Sequence, residues 1–248
     1  MEEISFTPKE LKEVIDSANL IGSGGFGAVI EYKTRLLKID INLYKKLKKI
    51  ELYQTNRVVR EYYEYENNDF QDRKQIEELV KKQKDITLTK LPEGIITLKD
   101  VSSNISPGII IPYHKGYDKL ENLDFHDYKR LLIILKKLLM AVRELEENKI
   151  SQEDLIQYNE FGLSKRSTNV LYKDDTPQII DMSGFFVKVG DKFYNAKNMY
   201  MDLSNILIDY CYFNNINAPY KREKVENYEQ DKDIIDELER GLKRKGLL

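Results

Sequence analysis

Gly22-Ser23-Gly24-Gly25-Phe26-Gly27 places four glycines in six positions, with Leu20-Ile21 before it and Ala28-Val29-Ile30-Glu31-Tyr32 after it. Branched and aromatic residues favour strands, so these glycines join two strands instead of leading into a helix. A tight turn near Lys33-Thr34 then begins another strand, Leu36–Ile39, which carries Lys38 among apolar neighbours. Glycine lets backbone N–H groups come close to an anion because no Cβ stands in the way. A cation on the next strand adds charge of the complementary sign. This opening commits the chain to an early hairpin with a glycine tip and a lysine strand beside it.

The 248 residues are 41% hydrophobic and 33% charged, enough apolar material for one two-lobed domain or two small ones. Lys plus Arg number 40 and Asp plus Glu 42, so the net charge of -2 gives no drive toward nucleic acid or an anionic membrane. The longest apolar cluster, Leu131–Leu135 with Leu138–Val142, is broken by Lys136 and Lys137, which argues against a membrane span. Met1-Glu2-Glu3-Ile4 lacks the basic region and apolar run of a secretion signal. The single cysteine, Cys211, excludes an internal disulfide, fits a reducing cytosol, and reads as a packed residue within Ile206–Phe213. Neither His114 nor His126 has partners at metal-ligand spacing, so no zinc site is expected. The oligomeric state stays open.

Along the chain, Thr7-Pro8-Lys9-Glu10 forms a capping box that opens a helix over 8–16. Residues 42–84 contain no Gly or Pro and suit two or three helices, the last over 72–84. Strands are predicted at 95–101 and 108–113, and 114–124 reads as a linker. From Tyr128 to Glu147 the apolar spacing is helical, with a wide face from Leu131 to Leu145. Short strands are expected at 169–172 and 178–180, a helix around 201–212, and an amphipathic helix over 231–245.

The motif Gly22 to Val29 satisfies G-x-G-x-x-G-x-V, and its strand context resembles the phosphate-covering hairpin of the protein-kinase superfamily. Further motifs follow in that family's order across residues 18–210. Gly108–Tyr113 resembles the strand entering the hinge. Ile150-Ser151-Gln152-Glu153-Asp154-Leu155 looks like the catalytic loop H-R-D-L, with Gln152 and Glu153 in place of His and Arg. Asn169-Val170-Leu171-Tyr172 resembles N-I-L-L, and Ile179-Ile180-Asp181-Met182-Ser183-Gly184 resembles the D-F-G segment with Ser183 intervening.

The resemblance implies an α+β, two-lobed protein-kinase-like fold. Residues 1–113 would be an N-lobe of antiparallel sheet plus helices, 114–127 a hinge, and 128–248 a reduced, mainly helical C-lobe. It implies ATP and Mg²⁺ as cofactors. Gly22, Ser23, Gly24, Gly25, Phe26 and Gly27 would cover the phosphates, and Val29 would pack on adenine. The backbone at Ile111 and Tyr113 would bond adenine, and Lys38 would reach the α- and β-phosphates. Asp154 would be the base, while Asp181 and Asn169 would hold metal; Asn159 meets the family's five-residue spacing from Asp154 and is the alternative. Glu61, Glu64, Glu77 and Glu78 could each pair with Lys38, and Glu77 is preferred because it flanks the packed face of its helix. Asp202 resembles the helix aspartate that braces the catalytic loop.

The interval from Asp181 to Asp202 is short and has no A-P-E sequence, which removes a full peptide-docking platform. The expected activity is γ-phosphate transfer to a hydroxyl of a protein Ser/Thr, including the chain itself. A small-molecule acceptor, a pseudokinase scaffold, and an unrelated α+β interaction protein with accidental glycines are the competing readings.

Overall fold

The computed structural model describes residues 1–25, 27–65, 73–99, 101, 106–124, 126–152, 155–157, 167–180, 185–187, 196–221 and 224–248. Two compact units emerge: Met1–Gln83 with Leu91–Tyr113, and Lys84–Lys90 with His114–Leu248. Residues 84–90 thus group with the second unit, although the sequence reading had placed them in 1–113. Among the described residues the fold is α+β, with seven helices and a mixed six-stranded sheet.

The sheet belongs to the first unit and runs β1-β5-β6-β4-β3-β2. Its strands are β1 (Glu2–Phe6), β2 (Leu20–Ser23), β3 (Gly27–Tyr32), β4 (Arg35–Asp40), β5 (Gly94–Leu98) and β6 (Gly108–Ile111). Five of them pair antiparallel as expected. The expectation of a wholly antiparallel sheet is corrected at its edge, where β1 pairs parallel to β5, Glu2 beside Gly94 and Phe6 beside Leu98. The close approach is made possible by Gly94, where a Cβ would lie 2.0 Å from the Glu2 carbonyl oxygen. The Thr7 hydroxyl accepts from the Glu10 N–H while Glu10 accepts from the Thr7 N–H, so the capping box opens α1 (Pro8–Ser17) as the sequence predicts.

Strand alternation sorts the sheet into two faces. Ala28, Ile30, Leu37, Ile39, Ile96, Leu98 and Ile110 pack with Leu11 and Ile15 of α1. The same cluster takes in Leu43 and Leu47 of α2 (Ile41–Lys48) and Val58, Val59 and Tyr62 of α3 (Thr55–Tyr65). The opposite face carries Val29, Lys38, Ile95, Thr97, Ile109 and Ile111. There α4 (Arg73–Lys82) packs near β5, its Arg73 reaching Glu3, which also accepts from the Thr97 hydroxyl.

The second unit centres on α5 (Tyr128–Glu147), whose bounds match the sequence expectation and whose N-cap is Asp127. It packs with α6 (Ala196–Phe213) and α7 (Tyr228–Arg244). Short strands flank these helices. Among them β7 (Asp118–Lys119), β11 (Val170–Lys173) and β12 (Thr176–Ile179) form a three-stranded sheet, and β8 (Ile150–Gln152) pairs antiparallel with β13 (Phe185–Val187). Two further short strands, β9 (Ile156–Gln157) and β10 (Ser167–Thr168), pair with each other. The stretch read as a linker therefore contains β7 and a 3-10 turn at Leu120–Asn122. Among the described residues, no helix is long and apolar enough to cross a membrane.

Candidate functional site

In the first unit, register brings Gly22, Val29, Lys38 and Ile111 of the predicted nucleotide residues to one face. Val29 stands directly opposite Lys38 on one side, and Ile109 stands opposite it on the other. Gly22 pairs with Val29, and Ile111 with Leu36, two positions from Lys38 on the same face. Tyr113, just past β6, is exposed. Phe26 lies outside the described residues.

Lys38 is only 8% exposed, and its stem runs past Gly27. A Cβ on Gly27 would come within 2.8 Å of Lys38 Cε and 2.9 Å of Cγ. The backbone of the same residue is approached from the other side, since a Cβ on Gly108 would lie 2.6 Å from the Lys38 carbonyl oxygen. Gly108 was read only as part of a strand. Its signal was a glycine at the head of an otherwise branched run, a pattern that marks close approach of another backbone.

The glycines at the tip behave differently. At Gly22, Gly24 and Gly25 an added Cβ meets nothing within 4 Å, and none has a left-handed φ. The tip is closed by the Gly24 N–H donating to the Gly27 carbonyl at 2.9 Å, and Ser23 pairs with Ala28. Among the described residues, neither backbone conformation nor packing requires glycine at those three positions, although at Gly22, inside β2, glycine costs the strand about 0.5–1 kcal/mol relative to alanine.

Glu77 sits on α4, on the side of the sheet that Lys38 faces. Its carboxylate accepts from Arg73 Nε at 2.9 Å, one helical turn back, and Arg73 also reaches Glu3. Its ion pair is therefore with Arg73. Glu78 pairs with Lys81, and Glu61 with Arg57.

In the second unit, three segments that carry the remaining motifs are tied together by backbone bonds. The Asn169 N–H donates to the Leu155 carbonyl at 3.0 Å, and the Ile180 N–H donates to the Asn169 carbonyl at 2.7 Å. The Leu155 N–H in turn donates to the Asp202 carboxylate at 3.0 Å, linking the same knot to α6. In addition, Gln152 stands opposite Phe185 in the β8 and β13 pair. Of the residues bounding the two predicted acidic loops, 152 and 185 are paired directly, and 155 and 180 are each bonded to Asn169. Asp154, Asn159 and Asp181 themselves lie outside the described residues. Among the described residues no cluster of three His, Cys, Asp or Glu side chains could hold a metal ion.

Ser151 and Gln152 are fully buried ahead of this knot. Cys211 is buried too, and burial first, with Glu237 second, pushes its thiol up to about 12, so it stays a protonated packing residue. No protein-family model and no curated protein sequence matches the chain.

Proposed function

We propose that the chain is an ATP- and magnesium-dependent phosphotransferase of protein-kinase-like fold, passing a γ-phosphate to a hydroxyl of a protein Ser/Thr. The observation that carries this reading is the glycine tip beside Lys38. Three glycines there serve neither conformation nor packing among the described residues, so their use is to leave room for a ligand that approaches the backbone closely. Lys38, on the strand after the hairpin and on the face shared with Val29 and Ile111, supplies the cation such a ligand would meet. Setting β1 aside, the hairpin joins the first two strands and the lysine lies on the third, the order that this class of phosphotransferase uses.

Within the second unit, the bonds among Leu155, Asn169 and Ile180 support a common origin for the acidic loops that contain Asp154 and Asp181. In the mechanism, Lys38 holds the nucleotide phosphates and Asp154 orients the acceptor hydroxyl and accepts its proton. Asp181 and Asn169 would be the oxygen donors for magnesium, which would neutralise phosphate charge when bound. Asp202 acts at one remove, through the Leu155 backbone. Positioning and electrostatics account for the rate, with little covalent chemistry left to the protein.

The test is transfer of radiolabelled γ-phosphate to the chain itself and to candidate acceptors, wild type against Asp181→Asn. Loss of one transition-state contact of this kind costs about 10²–10³ in rate. Wild-type transfer that survives Asp181→Asn unchanged rejects the site. A second reading, a nucleotide-binding scaffold without turnover, is favoured by the buried Gln152 and by Glu153 at the positions where the resembled loop has His and Arg. Stabilisation by Mg-ATP without transfer would select it.

A further inference from the structure

Asp231 lies at the end of the first turn of α7, and it is fully buried. Among the described residues, neither of its carboxylate oxygens has a hydrogen-bond partner. The helix around it presents Ile234, Ile235 and Leu238 to the same buried side. An ionised carboxylate is not sustained in such surroundings without a partner; it takes up a proton instead.

The surroundings follow from how the three helices run. Along α5, Arg143 stacks over Tyr228 and Lys136 bonds Glu239, so the two helices are antiparallel. Along α6, Lys197 pairs with Glu226 ahead of α7, while Ile216, just past α6, touches Gly241 near the other end. The middle stretches of these two helices carry buried apolar residues: Leu138, Leu139 and Val142 on α5, Leu203 and Leu207 on α6.

The charged groups on those stretches are committed elsewhere. Arg143 pairs with Glu147, Glu146 accepts from the Tyr200 hydroxyl, and Asp202 accepts from Leu155. Asp209 acts on Tyr210. On α7 itself Glu229 pairs with Lys232, and Asp233 accepts from the Tyr220 hydroxyl. Burial alone pushes the Asp231 carboxyl up, to about 9.

We propose that docking of α7 onto α5 and α6 takes up one proton at Asp231, which makes the helix a pH-sensitive strap on this unit. The direction follows from linkage. Undocked, the carboxyl regains water and titrates in the ordinary carboxylate range, whereas docked it holds its proton to about 9. Its contribution to docking is complete at acid pH and is lost as pH rises through about 9. Between those limits the undocked state gains about tenfold for each pH unit. Carboxylates of ordinary or lowered pKa, Glu239 included, are ionised in both states above pH 6 and do not disturb that slope. The proposal is independent of any phosphotransfer activity.

The test is hydrogen exchange of the α7 amides in the full chain between pH 6 and 8, corrected for the intrinsic pH dependence of exchange, under conditions that report the opening equilibrium. In wild type the opening equilibrium should rise about a hundredfold across the two units. In Asp231→Asn and Asp231→Leu, each neutral and of similar size, it should be flat. A wild-type slope below about threefold per unit overturns the proposal, as does a wild-type slope retained in both variants. Should neither variant fold, the wild-type slope alone decides.

Discussion

The stem of Lys38 fills the space that a side chain at Gly27 would claim, 2.8 Å from Cε and 2.9 Å from Cγ to the position of an added Cβ. The last glycine of the hairpin is therefore set by the lysine. Gly27→Ala should push the Lys38 stem aside, cost about 1–3 kcal/mol in stability by overpacking, and weaken Mg-ATP binding with it. Calorimetric unfolding with and without nucleotide measures both effects, and an unchanged nucleotide response would uncouple the two residues.

Gly24→Ala and Gly25→Ala provide the contrast. Among the described residues nothing lies within 4 Å of an added methyl group, so unfolding should be unchanged or shifted up by about 0.4–1 kcal/mol. Under the proposed function these variants should still lose nucleotide affinity. Bound at a hundred times its dissociation constant, Mg-ATP stabilises a site by about 2.7 kcal/mol, and a thermal-shift titration should find that increment reduced in both.

Gly94→Ala should free β1. Its methyl group would meet the Glu2 carbonyl oxygen at 2.0 Å, a backbone clash that no rotamer relieves. The expected result is a loss of about 1–3 kcal/mol and rapid proteolysis within residues 2–6, read by mass spectrometry. Protection of that strand equal to wild type would contradict it.

Glu144 holds the 84–90 segment, accepting from the Thr87 N–H at 2.9 Å, the Thr87 hydroxyl at 2.7 Å and the Leu88 N–H at 2.8 Å. Hydrogen bonds to a charged acceptor contribute about 1.5–3 kcal/mol, and Thr87 is exposed, so Glu144→Ala should cost about 2 kcal/mol. Amide exchange at Thr87 and Leu88 should accelerate first.

Glu239 governs part of the acid limb of stability. Its bonds with Lys136 and Lys243 hold its carboxyl down at about 2. A folded pKa below the unfolded one means that its contribution is present above about 4.5 and is lost as pH falls through about 2. Because both lysines are substantially exposed, solvent screening leaves roughly 1 kcal/mol. Glu239→Gln should flatten the stability curve between pH 4.5 and 2 by that amount and leave its alkaline side unchanged.

How far this fold could be read ahead depended on how local its information is. The capping box of α1 and the bounds of α5 were legible because a cap occupies four residues and a helical apolar face repeats within twenty. The placement of Lys38 on the strand after the glycine hairpin was legible too, because one tight turn near Lys33-Thr34 separates the two strands. The pairing of β1 was not legible, since its partner β5 lies some ninety residues on and only Gly94 hints at the contact. Strands of two or three residues, such as β7, β8 and β13, are too short to display alternation. Glu144 looked like any polar position on a long helix, because its partner Thr87 is 57 residues away. The choice of Glu77 located a helix correctly but had no means of weighing Arg73, one turn back, as its partner.

Residues 84–90 belong with a helix that is synthesised some fifty residues after them. During translation this short peptide waits, its buried Ile86 uncovered, until α5 has left the ribosome. A gene truncated to begin at residue 114 would deliver Glu144 with nothing to grip, and the missing heptapeptide, supplied separately, should restore part of what such a fragment lacks.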